Sequence, residues 1–413
     1  MAEHRADVVI IGGGMVGLAL AAGLGDVGCR VAVVEAREAP GWQREHVSNR
    51  VSAITHASRR ILQRLGAWDA IATARVSPFE AIHAWDAAGH PGVTFDAADR
   101  GEPCLGHIVE NSLIQDALRA AAGRRSNVTL YWPAAVAELR IEADGALVRL
   151  EDGRRLRGDL LVGADGARSM VREAAGIEAD IRDYNQQGIV ATVTTEAHHG
   201  AVARQRFLTT GPVALLPLAD GRCSLVWSAT DGYAAELQAL DELAFNNALT
   251  DATEEVLGTV IRTEDRAAFP LRRLHARQYV APRVALVGDA AHVIHPLAGQ
   301  GVNLGFLDAA ALVDVLRAAR ERHGDVGAHG ALRRYARWRR GDNTLMQTAM
   351  DGFHWLFSSA DPVRSLVRNF GLGLTDRCPP AKALFVDHAV GRRGDLPSLA
   401  GFHRPGVDAL RHG

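Results

Sequence analysis

The hydrophobic pattern of this chain changes its period along the length. Val8–Ile11, Val31–Val34 and Val284–Val287 are short unbroken apolar runs, the signature of strands buried on both faces. A helix-period segment separates the first two runs, and another, Val302–Leu316, follows the third. The middle of the chain reads differently. Gln187–Thr195, Val202–Leu208, Val213–Leu218 and Cys223–Ala229 are strand-like runs broken by Gly, Pro and Asp, which predicts an antiparallel sheet with a helix, Leu240–Leu257, lying on it. From Ala331 onward the pattern is helical, with a break at Pro379-Pro380. Together these predict an α/β (α+β, two-lobed) protein. One lobe is a mostly parallel sheet covered by helices, drawn from 1–75, 97–180 and 270–325. An inserted antiparallel-sheet domain comes from 76–96 and 183–269, and a helical C-terminal region covers 331–413.

Glycines at the strand ends supply the first candidate chemistry. After Val8–Ile11 comes Gly12-Gly13-Gly14-Met15-Val16-Gly17, a G-x-G-x-x-G at the mouth of a helix, and the next strand ends in Glu35. In a dinucleotide fingerprint the first glycine makes the turn, the second admits the pyrophosphate and the third lets helix pack on strand. The acidic residue then holds a ribose hydroxyl. The spacing alone is weak evidence, because Gly23-Leu24-Gly25-Asp26-Val27-Gly28 matches it too. That copy has no strand before it and reads as a helix end and turn. Two further strand ends carry Gly and Asp: Asp159–Ser169 (DLLVGADGARS) and Val284–Gly305 (VALVGDAAHVIHPLAGQGVNLG). In the second, an Asp at a strand tip can accept from sugar hydroxyls, and the glycines and helix start behind it favour an anionic ligand.

In this order the three motifs resemble the fingerprints of the single-component FAD-dependent aromatic hydroxylases. Arg50-Val51-Ser52-Ala53-Ile54, Leu105–Asn111, Val202–Gln205 and His295–Asn303 are similar to the subgroup that hydroxylates the ring of ubiquinone precursors, most nearly its 2-polyprenylphenol type. The resemblance spans roughly the whole chain. It implies that FAD is held by Gly12, Gly14, Met15, Val16, Gly17, Glu35, Arg50, Asn111, Asp165, Gly288, Asp289, Pro296, Gly299, Gly301, Val302 and Asn303. Asn111 stands where the wider class commonly has Arg or Gln. The implied cycle uses NADH or NADPH as a transient co-substrate, served by Gly163–Arg168, since one fingerprint has the right context. Reduced flavin and O2 then give a C4a-hydroperoxide that passes oxygen to an electron-rich ring. No side chain is singled out as a catalytic base. The implied substrate is a polyprenylated phenol or quinol, with a biosynthetic protein assembly as a further partner. Two rival readings remain: a flavin oxidoreductase acting on a prenyl lipid without inserting oxygen, and a non-catalytic flavoprotein-fold subunit. The intact glycines, Glu35 and Asp289 argue against the second, since a scaffold has no need of them.

Composition adds limits. At 413 residues and 47% hydrophobic the chain can bury a large core. A net charge of −2 gives no reason to expect nucleic acid. Cys29, Cys104, Cys223 and Cys378 show no C-x-x-C and no zinc spacing, and His292 and His295 lack companions for a metal site, so no metal is expected and the cysteines read as reduced thiols of a cytoplasmic protein. Lys382 is the sole lysine, which discounts arginine clusters as functional signals. The apolar run Val8–Gly25 contains the nucleotide fingerprint and reads as a strand–helix unit, with no transmembrane segment elsewhere. Basic residues outnumber acidic ones between Ala331 and Arg404, where Arg333, Arg334, Arg337, Arg339 and Arg340 precede Met346, Met350, Phe353, Trp355, Leu356 and Phe357. That pairing raises peripheral contact with the inner face of a membrane as an expectation. Arginines on a solvated face beside core aromatics are the competing account.

Overall fold

A computed structural model describes residues 3–38, 41–86, 92–294, 301–357 and 395–401. Its first sheet has eight strands. Five of them run parallel in the spatial order Val284–Leu286, Arg155–Gly163, Glu3–Ile11, Val31–Val34 and Val128–Tyr131. Apolar residues fill these strands because helices cover the sheet. Val8, Val9 and Ile10 are fully buried, as are Leu160, Leu161 and Val162. Helix Met15–Asp26 buries residues all round, lying between the sheet and helix Gly301–His323. Gly305 allows that helix pair to approach: a Cβ there would lie 2.6 Å from Val16 Cγ2.

The second sheet also has eight strands, ordered His292–Val293, Val260–Ala276, Ala179–Thr195, Cys223–Thr230, Gly211–Pro217, Val202–Leu208, Ala81–Asp86 and Val93–Asp96. It is antiparallel except where Val202–Leu208 meets Ala81–Asp86. Helices Asp231–Ala239 and Glu242–Ala252 cover one face around Trp227, Phe245 and Leu249. Two 17-residue strands, Ala179–Thr195 and Val260–Ala276, pair along this sheet and carry it beyond the apolar runs that announce it. Their outer portions are mostly polar and exposed, held by pairs such as Arg272–Asp183 at 3.2 Å. Strand His292–Val293 adds to the edge of this sheet from the far end of the chain.

A third, three-stranded sheet, Val51–Ile54, Gly106–Glu110 and Ser77–Phe79, stands beside the other two. The C-terminal helix His329–Phe357 packs on helix Gly301–His323 through Leu332 and Tyr335, whose hydroxyl donates to Leu286 O at 2.8 Å. Pro379-Pro380 lies outside the described residues.

Candidate active site

A cavity of about 440 Å³ opens between the strand ends of the first sheet and the inner face of the second. Gly14, Met15 and Val16 line it from one side, and Val190, Leu216, Val226 and Phe269 form an apolar wall on the other. Arg50, Asn111, Asp289, Gly301 and Val302 also reach it, so eight of the residues expected at a cofactor meet in one space.

Backbone geometry explains the glycines. Gly12 has φ of +109°, and a Cβ on it would lie 2.2 Å from Ala164 O. A Cβ on Gly17 would lie 2.0 Å from Gly12 O. No L side chain fits either place, and the turn closes because both are bare. Gly14 is different. It is the N-cap of helix Met15–Asp26, and a Cβ there meets nothing within 4 Å. Gly166 and Gly301, also on the cavity wall, are equally open. Three bare backbone positions thus face a space that side chains would fill. A helix N-terminus, with its unpaired N–H groups and positive dipole end, opens there too. These residues fit a dinucleotide cofactor.

The other expected residues divide into two kinds. Glu35 follows strand Val31–Val34 and braces the turn itself: Oε2 accepts from Gly13 N at 2.7 Å and Oε1 from Arg37 N at 2.8 Å. Asn111 opens helix Asn111–Gly123 and accepts from Ser52 Oγ at 2.7 Å. Asn303 is buried at the start of helix Gly301–His323, where it clamps a strand by donating to Ala53 O at 2.8 Å and accepting from Thr55 N at 3.1 Å. Asp165 accepts from Val171 N at 3.2 Å, and burial raises its pKa above the usual carboxylate range. Gly288 turns the chain at φ +59° and presents Asp289. The Asp289 side chain is exposed, but what it exposes faces the cavity, and the surrounding protein raises its pKa against the pull of His292 and Arg50. Pro296 and Gly299 lie outside the described residues.

Arg50 sits at the junction of the two walls, its guanidinium 5.2 Å over the Phe269 ring. The segment before it crosses from one lobe to the other. Asn49 Nδ2 donates to Asp265 O at 2.6 Å, while buried Glu110 holds Ser48 N at 2.8 Å and Arg75 Nε at 2.8 Å.

Three residues that the motifs did not flag support the site. Arg172 donates to Ala290 O at 3.0 Å and to Ala167 O at 2.8 Å, tying the two Gly-Asp turns together. Asp308 is fully buried and accepts from Gly288 N, His292 Nε2 and Arg339 Nε. Burial raises the pKa of this carboxyl, but His292 and Arg339 outweigh burial and bring it to about 2. Arg339 does not belong with the surface arginines around it: it is 1% exposed, whereas Arg333, Arg334, Arg337 and Arg340 are exposed. The signal was present in the helix phase, because Arg339 lies one turn beyond buried Tyr335. Among the apolar residues that follow the basic stretch, Met350, Phe353, Trp355, Leu356 and Phe357 have side chains outside the described set.

A nucleotide turn and an apolar sheet wall share one cavity, the layout of an enzyme that brings a dinucleotide cofactor to an apolar substrate. Residues 5–340 match the family model described as FAD binding domain, and the chain belongs to that family. It is 40% identical over 393 residues to the 3-demethoxyubiquinol 3-hydroxylase of Escherichia coli K12, covering 95% of this chain and 100% of that protein. It is 38% identical to the ubiquinone hydroxylase UbiL of Rhodospirillum rubrum, covering 94% and 90%. In fold it is similar to p-nitrophenol 4-monooxygenase PnpA from Pseudomonas putida DLL-E4, with a TM-score of 0.78 at 20% identity over 95% of this chain and 100% of that one. The chain is therefore an FAD-dependent aromatic monooxygenase of the ubiquinone ring-hydroxylase subgroup, with NAD(P)H as the co-substrate typical of the family.

Proposed function

We propose that this enzyme hydroxylates the aromatic ring of a polyprenylated phenol or quinol intermediate of ubiquinone synthesis, using FAD, NADH or NADPH, and O2. The observation that carries the reading is the single cavity shared by the glycine turn and the apolar wall, which puts a ring and a cofactor within reach of each other. The substrate class is supported by the names of the relatives at 40% and 38% identity.

In this reading 1–75, 97–180 and 270–325 serve the cofactor, and 76–96 and 183–269 serve the substrate. Gly12, Gly14, Met15, Val16 and Gly17 take the pyrophosphate, Glu35 a ribose, and Asp289 with Gly288 the ribityl chain. Arg50 and Asn111 contact the cofactor from the substrate side. Asp165 supports its turn, and Pro296, Gly299, Gly301, Val302 and Asn303 form the far end of the site. Bound FAD supplies the redox chemistry, accepting hydride from the nicotinamide and activating O2 for transfer to an electron-rich ring. The protein contributes placement and water exclusion. Val190, Leu216 and Val226 offer the ring a dry surface, on which oxygen transfer outcompetes side reactions with water. The N–H groups at Gly301–Val302 offset negative charge on the reduced cofactor. The new oxygen goes to a carbon ortho to the ring hydroxyl and meta to the prenyl chain, where the phenol donates electron density. We assign no general base.

A prenylated substrate partitions into membrane, and helix His329–Phe357 exposes Arg333, Arg334, Arg337, Arg340 and Leu345. Among the described residues no helix is long and apolar enough to cross a membrane. We place peripheral contact at this helix, each near-surface charge contributing about 1 kcal/mol on anionic lipid. Docking with other biosynthetic enzymes at the same face is the matching partner proposal. Flotation with anionic vesicles at low salt tests the contact, and protein left at the bottom with substrate present would exclude it. For the reaction, turnover under 18O2 is decisive. One 18O atom should appear in the product; solvent-derived oxygen, or product without added oxygen, would overturn the hydroxylase reading.

A further inference from the structure

The back of the cavity carries a polar cluster to which the proposed cycle gives no role. His292 lines the cavity close to Asp289 and stacks on Tyr279, with ring centroids 5.9 Å apart. Its Nε2 is 2.5 Å from Asp308 Oδ2, which also accepts from Gly288 N at 3.2 Å. The other carboxylate oxygen accepts from Arg339 Nε at 2.9 Å and Asn343 Nδ2 at 3.1 Å. His292, Asp308, Arg339 and Asn343 are all at most 2% exposed. Arg339, Asn343 and Gln347 recur every fourth residue on helix His329–Phe357 and so share one face, and Gln347 reaches Val293 O at 3.3 Å.

A buried ion pair is a poor device for stability alone, because apolar residues of equal volume usually serve as well. This one spends its remaining acceptor capacity on two groups, the cavity imidazole and the N–H of the turn that presents Asp289. An ionised carboxylate only accepts hydrogen bonds, so Nε2 of His292 must carry a proton toward Asp308.

We propose that Asp308, balanced by Arg339, is a positioning residue that locks the His292 imidazole and the Gly288–Asp289 turn against the bound flavin. The inference rests on the flavin reading of the cavity. The C-terminal helix thereby becomes part of the cofactor site through a carboxylate rather than by direct contact.

The test uses the full chain loaded with FAD and compares Asp308→Asn/Arg339→Met, which removes both charges together, with His292→Phe, which leaves the ion pair in place. Melting temperature, the FAD dissociation constant and the visible circular dichroism of bound flavin are read for each. Both variants should melt close to the parent, weaken FAD about tenfold as expected for a lost charge-assisted contact, and alter the flavin dichroism alike. Combining all three substitutions should be no worse than either variant, because the residues act as one unit. A folded variant of either kind with parental FAD affinity and dichroism would reduce the cluster to packing and overturn the proposal. If the double variant does not fold, His292→Phe decides alone. A parent protein that binds no FAD would instead sink the flavin reading itself, before any variant is compared.

Discussion

Helix Met15–Asp26 has the same glycine spacing at both ends, Gly12, Gly14 and Gly17 at its start and Gly23, Gly25 and Gly28 at its close. The two ends could hardly differ more in what surrounds them. A Cβ on Gly14 would enter open cavity, whereas one on Gly23 would lie 2.7 Å from Val313 Cγ2 and one on Gly25 2.7 Å from Arg125 Cδ. Gly28, at φ +78°, turns the chain after the helix and donates to Gly25 O at 3.0 Å. Polarity is opposed as well. The first end offers unpaired N–H groups and the positive pole of the helix, and the second offers carbonyls and the negative pole. Spacing of glycines therefore carries no chemistry by itself; the end of the helix and the space in front of it do.

The largest effect should come from Gly17→Ala. Its Cβ would meet the Gly12 carbonyl oxygen, which cannot move without opening the turn, so we expect a loss of about 3 kcal/mol or more in denaturant unfolding, with flavin lost in parallel. Close behind is Asp308→Ala, which strands the Arg339 charge in the core at a cost of about 3–5 kcal/mol. Restoring charge balance with Arg339→Met should return most of that stability. Gly23→Ala presses on Val313, a side chain that can shift, and should cost about 1–3 kcal/mol while the folded protein keeps its full flavin content. Flavin loss from a folded Gly23 variant would break the contrast between the two ends.

Acid provides a handle that favours neither glycine turn. His107 is buried against Trp68, and burial, with Arg59 and His56 nearby, lowers its pKa to about 4 from the usual value near 6.5. The unfolded chain therefore binds a proton that the folded chain refuses between these values. Stability is complete above pH ~6.5 and declines as pH falls toward about 4. His107→Gln should flatten that decline in pH-dependent melting. Flavin release and unfolding should coincide in the parent over this range.

What could be read in advance was local. The runs Val8–Ile11 and Val31–Val34 and the glycine turn between them are short-range features, and they fold as their pattern implies. Strand Val202–Leu208 likewise coincides with the strand-like run read there. Strand Val260–Ala276 was illegible, because VIRTEDRAAFPLRRLHA alternates poorly and buries only five of its 17 residues; pairing with Ala179–Thr195 makes it a strand. The bracing of Gly13 by Glu35 also had no local sign, since a carboxylate at that spacing reads equally well as a ribose partner. Arg339 shows the limit most clearly. Its neighbours in sequence are surface arginines; the helix phase marks the position as inward, but its partner Asp308 lies on another helix, and only the packing of the two helices reveals the ion pair.

Flavin content of purified Gly14→Val, measured as the ratio of bound flavin absorbance to protein, tests most directly whether the open end of the helix is the cofactor site. The new side chain has free space in the protein and should change unfolding free energy by no more than about 0.5 kcal/mol. In the proposed assignment it occupies the space that the phosphates need. We expect a folded, colourless protein with a parental melting curve in the absence of FAD; a folded protein that remains fully yellow would contradict the assignment.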